Sequence, residues 1–336
     1  MAAINNKTTV FDAGEVFGGR KSGRPVVGFM EPNPYVPDED IRYVMPEWAG
    51  AIAFWFAHVK DPLFVFGPTG CGKTSAVKQL ARRINYPVYE TTGHNRMEFP
   101  ELVGHHAVID GNMRFEYGPL TQAMKYGGIF LLNEVDLLSP DAMAGMNSIL
   151  DGSPLCIAEN GGEIIKPHPL FRFVATANSN GTGDETGLYQ GVLRMNAAAA
   201  DRFFMVKADY MSETTETAML RKACPQLDDE EVVKCASFAQ SIRKLFAGDG
   251  DDIHVAQLSI TMSTRTLLRW GLFMQVLKEA SANTNYDFCK QALDHTFAFK
   301  ASSSDRVAID EIYQRIFGKE DVWTTSRTSQ ARRSER

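Results

Sequence analysis

Short, continuous apolar runs alternate with helix-like segments through the middle of the chain. "LFVF" (63–66), "IFLL" (129–132) and "FRFVATA" (171–177) do not alternate apolar with polar, as strands covered on both faces of a parallel sheet do not. "DRFFMVKAD" supplies one more such strand near residue 205. Ahead of them, the first thirty-odd residues, ending in "GFMEPNPYVPDED", are rich in Gly, Pro and acids. They predict an irregular arm leading into a helix at about Ile41–His58. Beyond Tyr210 the strand signals stop, and "SETTETAMLRKAC", "DEEVVKCASFAQSIRKLF", "STRTLLRWGLFMQVLKEA" and "VAIDEIYQRIF" repeat apolar positions at helical spacing. An all-helical second domain is expected there, with "GDGDD" (248–252) as a loop inside it. The tail "TTSRTSQARRSER" has nothing to bury and is expected to be disordered. The pattern divides the chain into an arm and leading helix (1–58), an α/β core (59–210), a helical domain (211–320) and a polar, basic tail (321–336).

The 336 residues are 44% hydrophobic and 23% charged, which suits a large domain plus a smaller companion, each with its own core. A net charge of -6 and a pI near 5.7 give no global basic field for nucleic acid or an anionic membrane, so a nucleic-acid role would need a local patch. "MAAINNKTTV" lacks the apolar core of a secretion signal, and the longest apolar stretch, "AGAIAFWFA", is too short to span a bilayer. A cytoplasmic, membrane-free protein is expected. The cysteines, Cys71, Cys156, Cys224, Cys235 and Cys289, are odd in number with no pair at two-residue spacing, which argues against a disulfide framework or a Cys-type zinc site.

"LFVFGPTGCGKTS" holds the full spacing of a phosphate-binding loop: Gly67, Pro68, Thr69, Gly70, Cys71, Gly72, Lys73 and Thr74, followed by Ser75. Glycines let successive backbone N–H groups turn onto phosphate oxygens, and a helix N-terminus behind them adds positive potential. Lys73 is then placed for the β- and γ-phosphates, and the Thr74 hydroxyl for magnesium. Context supports the motif, because an apolar strand precedes it and Ala76, Val77, Leu80 and Ala81 share one face of the helix that follows. The cofactors implied are ATP and Mg2+.

"IFLLNEVD" is the acidic strand expected about sixty residues later. Glu134 is the candidate base that orients and polarises the attacking water. Asn133 stands where an aspartate usually meets the magnesium shell through water. Losing a full charge about 5 Å from a divalent ion removes several kcal/mol of attraction at an effective dielectric near 20. Metal binding is weakened but not abolished, since the Asn carbonyl still accepts from a metal-bound water. Asn133→Asp is therefore the substitution expected to shift the magnesium requirement. Strand alternation turns Asp136 toward the face of Glu134, away from Asn133, so Asp136 is not expected to replace the missing charge unless the chain has already turned.

With these residues in place, "FRFVATANSNGTGDETGLYQG", "AAADRFF", "GEVFG", "NPYVPDEDI", "STRTLLRW" and "EIYQRIFG" resemble, in order, segments of the CobS-type, MoxR-related AAA+ ATPases. The resemblance spans nearly the whole chain apart from the tail. It implies an AAA+ αβα sandwich with a parallel sheet and two inserted β-hairpins, followed by an all-helical lid. It also implies a homo-oligomeric ring, a hexamer, in which ATP lies between subunits. By the same resemblance Asn178 is sensor 1, holding the attacking water with Glu134, and Arg202 is the arginine finger that reaches a neighbour's γ-phosphate. Arg265 is sensor 2, with Arg269 one helical turn on as its rival. The implied activity is chaperone-like remodelling of a protein client, one carrying a von Willebrand A-type domain. A module that binds ATP and hardly hydrolyses it, and a nucleic-acid-associated motor, are the competing readings.

"HHAVIDGNMRFEYGPL" and "CIAENGGEIIKPH" read as strand–turn–strand hairpins, the second with Gly161 and Gly162 at its tip. In the resembling ATPases such hairpins face the pore of the ring, and exposed Met113 and Phe115 would favour client contact. His105 and His106, adjacent on a strand, point to opposite faces and make a poor chelate, with His94 upstream adding no metal-like spacing. Trp270 and Met274 sit at helical spacing and are expected in the core.

Overall fold

The computed structural model describes residues 7–183, 191–248, 257–280 and 287–318. Residues 184–190 of the sensor-1 region, most of "GDGDD" and the polar tail lie outside the described residues. The chain forms two compact units, Met1–Ser212 and Glu213–Arg336.

The N-terminal arm is not irregular. β1 (Thr8–Asp12) pairs antiparallel with β2 (Pro25–Phe29), and the single turn α1 (Ala13–Val16) lies between them. Asp12 closes this connection, its carboxylate accepting from the backbone N–H groups of Glu15, Ser22 and Gly23 and from the Ser22 hydroxyl. These bonds, led by the Ser22 amide, hold its carboxyl down at about 2. The helix expected from Ile41 begins only at Gly50, as α2 (Gly50–His58), behind a 3-10 turn at Glu47–Ala49. Pro46 accounts for the late start, since a proline disfavours helical geometry at the residue before it. α2 buries Ile52, Trp55 and Phe56.

From there strands and helices alternate: β3 (Leu63–Phe66), α3 (Lys73–Arg83), β4 (Val88–Thr92), α4 (Phe99–Val103), β5 (Gly104–Ile109), β6 (Asn112–Tyr117), α5 (Pro119–Tyr126), β7 (Gly128–Asn133), α6 (Pro140–Leu150), β8 (Leu155–Ile157), β9 (Glu163–Ile165), β10 (Phe171–Ala177), α7 (Ala197–Ala200) and β11 (Phe204–Lys207). Five of the strands form a parallel sheet in the order β11-β3-β10-β7-β4. Side-chain alternation sends Ile129 and Leu131 of β7 into a cluster with Trp55, Val77 and Leu80, and Phe130 and Leu132 into a second with Leu120, Met124 and Met146. The sheet is thus buried on both sides, as the continuous apolar runs require.

β5–β6 and β8–β9 are the two inserted hairpins. They are tied together: the Tyr117 hydroxyl donates to Glu163 at 2.8 Å, and Lys125 Nζ donates to the Tyr117 oxygen at 2.7 Å and to Glu163 at 3.0 Å. Met113 is exposed, as are Val108 and Ile164, but Phe115 is not. Its ring packs edge-on against His106 and Tyr117 and against the core, which corrects the expectation of a free aromatic there. His94, His105 and His106 are exposed.

The second unit holds α8 (Glu213–Ala223), α9 (Asp229–Ala247), α10 (Thr264–Ala280), α11 (Phe288–Thr296) and α12 (Ser303–Phe317). Trp270 and Met274 are fully buried. α11 was not among the expected helices, although Cys289, Ala292, Leu293 and Thr296 are buried at helical spacing. Nor was a buried ion pair expected: Arg243 donates to both oxygens of Glu216, at 2.8 and 2.7 Å, and Thr264 adds a third bond at 2.7 Å. Arg243 Nε donates to the Met262 carbonyl, completing the arrangement. Among the described residues, no helix is long and apolar enough to cross a membrane.

Candidate nucleotide site

The glycine-rich loop runs from the carboxyl end of β3 to the first residue of α3. Gly67, Gly70 and Gly72 all have positive φ, with Gly72 at +97° as the N-cap of α3. Gly67 also passes so close to the residue after β11 that a Cβ would lie 2.0 Å from the Ala208 carbonyl oxygen. Lys73 folds back over the loop, its Nζ donating to the Gly67 and Pro68 carbonyls at 2.7 and 3.0 Å and to Asn178 Oδ1 at 3.1 Å. The Thr69 carbonyl accepts from the Tyr210 hydroxyl, and Ser75 is exposed on the first turn of α3. Cys71 is fully buried among Val77 and Ala208, and burial pushes its thiol above the usual range. Its part in a phosphate cradle is therefore its backbone amide alone.

Asn133 ends β7 and its side chain gathers three groups. Its Oδ1 accepts from the Thr74 hydroxyl at 2.6 Å and from the Thr176 hydroxyl of β10 at 3.0 Å, while its Nδ2 donates to Glu90 Oε1 of β4 at 2.7 Å. Glu134, the next residue, is exposed and left-handed, with φ 52° and ψ 43°. A non-glycine residue in that conformation costs on the order of 1–3 kcal/mol and is found where geometry serves function. Gly93 braces the bend: its N–H donates to the Asn133 carbonyl at 2.7 Å, and a Cβ there would stand 2.8 Å from the Glu134 carbonyl oxygen.

Because the chain turns at Glu134, strand alternation does not carry on to Asp136. Asp136 lies in a 3-10 turn, and its Oδ2 accepts from the backbone N–H groups of Asn178 and Ser179 at 2.8 and 3.2 Å. Burial raises its carboxyl above the usual range against the pull of those bonds, and its Oδ1 is buried with no partner among the described residues. It therefore fixes the loop that carries Asn178. Asp136→Ala should loosen that loop, cutting ATP turnover about tenfold or more while nucleotide still binds, because one or two charge-assisted bonds are lost. Asp136→Asn, which keeps an acceptor, should recover part of the loss; parallel turnover and nucleotide-binding measurements on the two variants check this.

Arg202 follows α7 and forms a forked pair with Asp151, through Nε at 2.6 Å and Nη2 at 3.0 Å, with Nη1 on the Ala198 carbonyl. The guanidinium beside Asp151 holds that carboxyl below its usual range. Arg265 is exposed on the first turn of α10 in the second unit, and Arg269 is exposed one turn on. Lys73, Thr74, Asn133 and Asn178 are thus brought together, with Glu134 adjoining them. Asp136 and Glu90 belong to the same network, yet neither was among the site residues read from the sequence. A carboxylate three residues past Asn133 was a usable signal for the first; Glu90 had none.

A left-handed glycine at the helix cap, an ammonium over the loop, and a hydroxyl and an amide oxygen together at the carboxyl ends of the strands suit a triphosphate and its divalent ion. With the parallel sheet and the polar Asn178 on the strand beside β7, they define a P-loop ATPase core of the AAA+ type. The profile of the AAA domain (dynein-related subfamily) matches residues 62–203. The aerobic cobaltochelatase subunit CobS of a Sinorhizobium species is 31% identical over 326 residues, 94% of this chain and 93% of that protein. The denitrification regulatory protein NirQ of Stutzerimonas stutzeri is 29% identical over 212 residues, 63% of this chain and 73% of its own. A point mutant of Thermotoga maritima RuvB superposes with a TM-score of 0.50 at 12% identity, covering 78% of this chain and 73% of that one, a likeness of fold alone. The chain belongs to the MoxR-related AAA+ ATPases, the group that includes CobS and NirQ.

Proposed function

We propose that the chain is the ATP-hydrolysing subunit of a hexameric ring whose turnover remodels a protein partner. The convergence of Lys73, Thr74, Asn133 and Asn178 at the carboxyl ends of β3, β7 and β10 carries this reading. Lys73 would meet the β- and γ-phosphates, Glu134 would take the proton of the attacking water, and Asn178 would hold that water in line. Thr74 and Asn133 are the residues that would hold magnesium, which would supply charge neutralisation for the phosphates there. Because Asn133 brings no formal charge, turnover is slow and demanding of magnesium; this observation also favours the second reading, an ATP-gated module that scarcely hydrolyses. Arg202, anchored by Asp151 beside α6, would serve the neighbouring subunit. Arg265 would act as sensor 2 on the nucleotide of its own subunit.

The name of CobS, a subunit of a cobaltochelatase, supports a partner protein for this chain as well; the family resemblance adds that this partner carries a von Willebrand A-type domain. The exposed Val108, Met113 and Ile164 of the tied hairpins offer apolar contact for it. Five free thiols suit a cytoplasmic setting. Mixing Arg202→Ala with Glu134→Gln subunits tests the shared site. A fraction of ATP turnover should return in mixed rings, and complete failure at every ratio would mean that each subunit works alone.

A further inference from the structure

The carboxamide of Asn133 is held by three neighbours. Two hydroxyls, of Thr74 and Thr176, donate to its oxygen, and its nitrogen faces the Glu90 carboxylate at 2.7 Å. Turned over, it would set its oxygen against a carboxylate oxygen, which cannot donate, whereas the two hydroxyls could adapt, so Glu90 decides the orientation. The second oxygen of Glu90 accepts from Lys78 of α3 at 2.8 Å, so the carboxylate is anchored from both sides although its side chain is one-third exposed.

We propose that Glu90 is a positioning residue of the magnesium site, acting through Asn133: the acid expected at the end of β7 sits one strand over, on the sheet's edge. This rests on reading the site as that of a magnesium-dependent ATPase. An N–H bonded to a carboxylate draws electron density toward the amide oxygen, which becomes the stronger acceptor for a metal-bound water. The negative charge itself stands one side chain further from the ion, weaker in effect but not lost. The pair is also matched. An aspartate at 133 beside Glu90 would put two carboxylates at contact distance, whereas exchanging both groups, Glu90→Gln with Asn133→Asp, keeps one acid and one amide in the same bond.

Four proteins test this: wild type, Glu90→Gln, Asn133→Asp and the double variant. The readouts are the magnesium concentration that half-saturates binding of a fluorescent ATP analogue and the melting temperature of the ligand-free chain. Binding of the same analogue in EDTA reports on the phosphate loop alone. Glu90→Gln should raise the magnesium midpoint roughly tenfold, the effect of one partly screened charge within several ångströms, with EDTA binding unchanged. Because Glu90 lies 2.7 Å from the Asn133 side chain, the expectation drawn from the sequence is reversed: Asn133→Asp alone should lower the melting temperature without tightening magnesium binding, and the double variant should recover both. An unaltered midpoint in Glu90→Gln would overturn the proposal, as would tighter magnesium binding by Asn133→Asp alone with no recovery in the double variant. If Glu90→Gln does not fold, the double variant against Asn133→Asp decides by the same criterion. A wild type that binds the analogue in neither condition refutes the nucleotide site itself, a different failure from a wild type that binds it without regard to magnesium.

Discussion

Glu134→Gln is expected to cut ATP turnover by about a hundredfold or more, the scale on which a positioned proton acceptor acts, while the nucleotide still binds. The substitution preserves size and hydrogen-bonding reach and removes only the ability to accept a proton. The backbone around it supports this assignment. Glu134 sits at positive φ between the last residue of β7 and a 3-10 turn, with Gly93 packed against its carbonyl. Glycine or asparagine would tolerate that conformation at less cost, so the glutamate is held there against its own backbone preference. Phosphate release under single-turnover conditions, beside equilibrium nucleotide binding, checks the expectation. A loss below about tenfold would move the base to another residue.

The second large effect lies in the helical unit. Glu216→Ala should destabilise it by about 3–5 kcal/mol, because Arg243 would be left as a buried charge facing an empty site, with the Thr264 hydroxyl also deprived of its acceptor. Glu216 is completely buried and Arg243 is 8% exposed, so solvent offers little compensation. The ion pair between Arg221 and Asp229, with side chains 51% and 81% exposed, is the natural control, and Asp229→Ala should cost less than about 1 kcal/mol. Hydrogen exchange across α8, α9 and α10 in the full chain separates the two. Equal losses of protection would show that the buried pair contributes no more than a surface one.

The phosphate loop was legible in the sequence because eight consecutive residues carry it and their backbone geometry follows from glycine placement. The parallel sheet was legible because continuous apolar runs mark strands covered on both faces, whereas Asn178 was named through the family resemblance and not from any pattern of its own. β4 was not. Only Val88 and Tyr89 of that edge strand are buried, and its polar end, with Glu90, looks like a loop until β7 is set beside it. The role of Asp136 was hidden because alternation holds only while the strand lasts, and one left-handed residue ended it. The N-terminal hairpin depends on four hydrogen bonds to a single aspartate, which no periodicity announces. Glu216 and Arg243 lie 27 residues apart on different helices, and each alone looks like a surface charge.

Equilibrium binding of ATP to wild type and Lys73→Ala, with magnesium in excess, tests the central claim most directly. Wild type should bind, and Lys73→Ala should bind at least about tenfold more weakly, the loss of one charge-assisted contact to the phosphates. Equal affinity in the two proteins, or none in wild type, would contradict it.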